Sequence, residues 1–86
     1  MSLHDLGVTV RLFSVAKDIA GYDVKQLRLP SGARASSVLD DLARSHPRFE
    51  VWLPSVRLAV NQEYVPNEHV LCDGDEVAVI PPVSGG

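Results

Sequence analysis

The 86-residue sequence has one cysteine, Cys72, so no internal disulfide can form and the fold does not depend on an oxidising compartment. A cytoplasmic setting is expected. Positive charge is also scarce: 8 Lys and Arg stand against 11 Asp and Glu, for a net charge of −3 and a pI near 5.4. General nucleic-acid binding needs a basic field to release counterions, so it is disfavoured and a protein partner is expected instead. No apolar run approaches the roughly 18 residues of a membrane span. The opening MSLHDLGVTV lacks the basic flank, apolar stretch and small-residue cleavage site of an export signal. A chain neither exported nor inserted is expected. The sequence shows no repeat or low-complexity segment, no defensible Ser-His-Asp or Cys-His set, and no glycine-rich phosphate loop. The chain is therefore not expected to be an enzyme by itself.

What is present is an ordinary globular composition, 45% apolar and 22% charged, in a length that holds one core. Val8, Val10 and Leu12 alternate with Thr9 and Arg11, which predicts a strand over residues 7–13 with one face buried. Ser14 can cap a short helix carrying Val15 and Ile19, stopped by Gly21. Residues 24–29 read as a second strand with Leu27 and Leu29 on one face, closed by a turn at Pro30, Ser31 and Gly32. From a Ser37 cap, Val38, Leu39, Leu42 and Ala43 share a helical face, and Pro47 denies helical geometry to His46. Residues 48–56 read as an irregular apolar connection. Residues 57–60 and 63–65 are short strands about an Asn61-Gln62 turn, and residues 76–80 a final strand with Val77 and Val79 inward. This order predicts an α+β roll, a mixed sheet of about five strands packed against one main helix. Residues 1–80 form the expected domain and 81–86 an extended tail.

The tail is the chemically suggestive feature. Pro81 and Pro82 stiffen the exit from the last strand, Val83 and Ser84 follow, and Gly85 and Gly86 carry no side chain. Such an arm can thread a narrow channel, reaching about 20 Å at roughly 3.3–3.6 Å per residue. A carboxylate is a poor electrophile, so chemical use of the Gly86 terminus requires prior activation such as adenylation, and glycine leaves the carbonyl unobstructed. A frayed end of small residues is the competing reading.

The segments DGDEVAVIPPVSGG (residues 73–86), LAVNQEYVP (residues 58–66) and the N-terminal VTVRLFSVAKDIAG together resemble the small subunits of molybdopterin synthase, ubiquitin-like sulfur carriers of β-grasp fold. The resemblance spans essentially the whole chain. It implies that an adenylating enzyme of the ubiquitin-activating type uses ATP to activate Gly86, and that a sulfur donor then converts the terminus to a thiocarboxylate. It further implies that the tail enters a large synthase subunit, in a heterotetramer, and gives sulfur to a cyclic pterin. No cofactor is expected to be bound permanently. Delivery of the sulfur to thiazole, cysteine or transfer-RNA thiolation, or use of the chain as a ubiquitin-like protein modifier, are the alternatives.

The resemblance also places apolar partner contacts at Phe13, Tyr64 and Ile80, although Ile80 stands where an aromatic is common and Tyr64 where an aliphatic is. Strand parity agrees in part, because Ala78 and Ile80 oppose Val77 and Val79, and Phe13 opposes Leu12. Phe13 or Ile80 closing the end of the core is the other reading. Arg11, Arg28 and Arg57 share the outer parity, where they either steer an acidic partner or are simply solvated. Asp73, Asp75 and Glu76 flank Gly74 in a spacing that suits a turn better than a calcium loop. His69 and Cys72 are three apart but lack further zinc ligands, so no metal site is expected.

Overall fold

The computed structural model of the chain describes residues 5–82. Alternation orients its first strand: β1 (Leu6–Leu12) points Val8, Val10 and Leu12 into the core, each at most 4% exposed, while Arg11 lies open on the opposite face. β2 (Val24–Leu29) pairs antiparallel with β1, and β5 (Glu76–Ile80) pairs parallel with its other side. β3 (Arg57–Val60) lies antiparallel to β5, and β4 (Glu63–Val65) completes a hairpin with β3. The resulting five-stranded mixed sheet has the order β2-β1-β5-β3-β4.

The β3–β4 turn needs positive φ at both central residues, and Asn61 (φ 52°) and Gln62 (φ 73°) adopt it without a glycine. Asparagine tolerates the left-handed region better than most residues, and its side chain is tied down as described below.

Two helix starts differ from the sequence expectation. α1 (Ser14–Ala20) follows β1 so closely that Phe13, in extended geometry, takes the capping position and makes no side-chain cap. Ser14 is instead the first helical residue, with φ 56°. Gly21 (φ 86°) ends the helix as anticipated, its N–H donating to the Lys17 carbonyl at 2.9 Å. α2 (Ala35–Ser45) begins two residues before Ser37. Its first-turn donors find acceptors on a distant loop: Ala35 N–H donates to the His69 carbonyl at 2.8 Å and Ser36 N–H to that of Asn67 at 3.0 Å. Ser37 then caps backward, its Oγ accepting the Arg34 N–H at 3.1 Å. The helix stops at Ser45, with His46 held out of helical geometry ahead of Pro47.

The connection expected to be irregular is a 3₁₀ segment (Pro47–Ser55) that drives Phe49 fully into the core. Among the described residues three helical pieces therefore accompany the sheet, with α2 the longest. α2 buries Val38, Leu39 and Leu42 against the inward Val77 and Val79 of β5, together with Leu58, Val60 and Leu71. Among the described residues one sheet face is thus covered and the other is bare. Among the described residues, no helix is long and apolar enough to cross a membrane.

Candidate functional site

The bare face carries Phe13, Tyr64 and Ile80, the positions the resemblance marks as partner contacts. Register places Val24 beside Arg11, Arg11 beside Ala78, Ala78 beside Ala59, and Ala59 beside Tyr64, in one row across all five strands. In the adjoining row Ile80 pairs with Arg57, and Phe13 and Ile80 are the residues that directly follow the Leu12–Val79 pair. Phe13 is 43% exposed, Val24 45% and Tyr64 63%, while Ile80 and Ala78 are half-buried. Neither Phe13 nor Ile80 belongs to the core cluster. Several large apolar side chains clustered on one solvated sheet face mark a surface suited to a partner.

Charged side chains frame this face differently. Arg11 is neutralised by Glu76, Nη1 to Oε2 at 3.2 Å. Arg57 lays its guanidinium over the Tyr64 ring, 4.7 Å from the centroid. Arg28 lies exposed at the far end of the sheet, opposite Gly7.

The arm begins at the same rim. Pro81 continues the inward parity of Val77 and Val79 and is buried, whereas Pro82 is exposed. Pro81, expected to open the threading arm, is thus packed into the folded body, since a proline directly after a core strand can fill space without needing a ladder hydrogen bond. Val83, Ser84, Gly85 and Gly86 lie outside the described residues.

The acidic turn before β5 is structural. Asp73 Oδ1 accepts the Gly7 N–H at 2.7 Å, and Asp75 Oδ2 accepts the Cys72 N–H at 2.8 Å. Asp75 Oδ1 also accepts from Asn61 Nδ2 at 3.0 Å, and Asn61 Oδ1 accepts the Glu76 N–H at 3.0 Å. Gly74, at φ 90°, makes the bend. These carboxylates are occupied by protein donors, and among the described residues no group of three His, Cys, Asp or Glu side chains is placed to hold a metal ion. The Asn61–Asp75 link was not read from the sequence, because the two residues lie in separate turns joined only by β3–β5 pairing. Away from the bare face, burial and the Asp41 carboxylate push the Tyr22 phenol above its ordinary value.

Comparison with known proteins matches the geometry. The ThiS family matches residues 10–86. The molybdopterin synthase sulfur carrier subunit of Arabidopsis thaliana is 37% identical over 79 residues, covering 92% of this chain and 82% of that protein. The solution structure of small archaeal modifier protein 1 from Methanosarcina acetivorans superposes with a TM-score of 0.81 at 26% identity, covering 96% of this chain and 99% of that one. A chain from the complex of subunits 1 and 2 of the Helicobacter pylori 26695 molybdopterin-converting factor shares the fold at 23% identity and TM-score 0.62, over 94% of this chain and 100% of that one. The mixed sheet with its helices is the ubiquitin-like β-grasp. By its sequence, from the first strand to the last glycine, this chain belongs to the ThiS family, among the molybdopterin synthase sulfur carrier subunits.

Proposed function

We propose that the chain is the sulfur-carrying small subunit of a molybdopterin synthase, docking through its bare sheet face and carrying sulfur on the Gly86 terminus. An adenylating enzyme joins AMP from ATP to the Gly86 carboxylate and releases pyrophosphate. A donor of sulfide-level sulfur attacks that acyl-adenylate as hydrosulfide, AMP leaves, and a thiocarboxylate results. In the large subunit the thiocarboxylate sulfur attacks the cyclic pterin, and water returns the terminus to a carboxylate. A thiocarboxylate sulfur is a soft nucleophile, and a closed channel shields the activated acyl group from bulk water. Side chains for these steps belong to the partners; this chain supplies the docking surface and the arm. Both partners are expected in the cytoplasm.

The observation that carries this reading is that the apolar cluster of Phe13, Ile80, Ala78 and Tyr64 sits at the root of residues 81–86. A surface gripped there aims the arm into the partner and lowers the cost of ordering it. The sulfur carrier subunits among its relatives support the chemistry, and the two-subunit Helicobacter pylori complex supports a large-subunit partner, with a heterotetramer as the expected assembly.

Incubation with the adenylating enzyme, ATP and a sulfur donor should raise the intact mass by one sulfur-for-oxygen exchange, and the loaded protein should then yield molybdopterin with the large subunit and the cyclic pterin. An unchanged mass with every donor rejects the proposal. The similarity to an archaeal modifier protein favours a second reading, conjugation of Gly86 to lysine, which heavier ladders on denaturing gels would reveal.

A further inference from the structure

We infer that Arg57, held over the Tyr64 ring, is the specificity-determining cation of the docking face and receives a carboxylate from the large subunit; this rests on the docking role proposed above. Of the outer-face arginines, Arg11 is already paired with Glu76 at 3.2 Å, and Arg28 stands at the remote end opposite Gly7. Arg57 lies directly across from Ile80, and unlike Arg11 beside Ala78 it has no ion-pair partner among the described residues.

The contact with the Tyr64 ring leaves this charge unneutralised and restricts where it sits. Among the described residues the guanidinium over this ring has no hydrogen-bond or ion-pair partner, and its planar fork matches a carboxylate with two parallel hydrogen bonds. Because the ring contact already restricts the guanidinium, less side-chain entropy remains to be lost on docking. When the partner covers Phe13 and Ile80, Arg57 is desolvated between them and Tyr64, and a buried cation without a counter-charge is costly. A carboxylate on the partner removes that cost, and a docking surface without one is rejected.

The test measures affinity for the purified large subunit of the same organism's synthase, at low and high salt, with thermal melting of each variant to verify folding. Phe13→Asp reports on docking itself and should abolish binding. Arg57→Leu should weaken binding at least about tenfold and flatten its salt dependence, with melting unchanged. Arg57→Lys should restore the salt dependence but not the full affinity, since an ammonium neither stacks flat nor forks. If Phe13→Asp abolishes binding while Arg57→Leu leaves the salt dependence intact, the carboxylate is refuted and docking stands. If Phe13→Asp binds normally, the docking reading fails and takes this inference with it.

Discussion

Replacing Asn61 tests how the tail-bearing strand is held, because this one side chain joins the hairpin turn to the acidic turn. Its amide accepts the Glu76 N–H and donates to Asp75, each at 3.0 Å, while its backbone sits at φ 52°. The turn is exposed, so each hydrogen bond is taken at the low end, about 0.5 kcal/mol, and their joint loss at about 1 kcal/mol. A β-carbon without a compensating amide pays about 1–2 kcal/mol in the left-handed region, so Asn61→Ala should destabilise by about 2–3 kcal/mol. Asn61→Gly avoids that strain but loosens the unfolded chain by about 0.4–1 kcal/mol, so its loss should be about 1–2 kcal/mol. Urea denaturation of both variants reads these values from the midpoint at constant slope. Equal losses for alanine and glycine refute the strained turn. No loss in either refutes the claim that the amide bridge contributes at all.

Three other outcomes are expected. Phe49→Ala removes a fully buried ring beneath the 3₁₀ segment and should cost about 3–5 kcal/mol, enough to leave a domain this small largely unfolded in calorimetry. Gly86→Val should change stability by no more than about 0.5 kcal/mol in denaturation, yet abolish sulfur loading when the intact mass is measured after incubation with the activating system. Tyr22 has a phenol raised above its ordinary value of 10.0, so the folded state holds that proton longer than the unfolded chain does. Its stabilisation is full below that value and lost as pH rises through the folded one, and Tyr22→Phe should remove this part of the alkaline slope in pH-dependent denaturation.

The strands were legible because one sheet face is packed and the other bare, which writes a period of two into residues 8–12 and 76–80. The 3₁₀ segment also left a trace, since Phe49 and Trp52 stand three apart, the repeat of a three-residue turn, but so short a repeat beside Pro54 reads as irregular. The start of α2 left none. Its cap is made by the carbonyls of Asn67 and His69, more than thirty positions along the chain, and no local signal encodes such a partner. The same limit applied to Arg57, whose outward parity was readable but whose stacking on Tyr64 depends on the hairpin register.

At the site, legibility has a mechanical origin in β5. Val77, Val79 and Pro81 point inward, while Ala78 and Ile80 point toward the bare face. A one-residue slip of this strand would expose the two fully buried valines and bury the two residues that stand among the apolar cluster. The core's demand for Val77 and Val79 therefore sets which side chains reach a partner and also where the arm departs. Parallel pairing with β1 ends at Leu12 and Val79, the residues just before Phe13 and Ile80, and antiparallel pairing with β3 brings Arg57 across from Ile80. Packing and recognition are specified here by a single alternation, so the sequence that stabilises the fold also assembles the docking face.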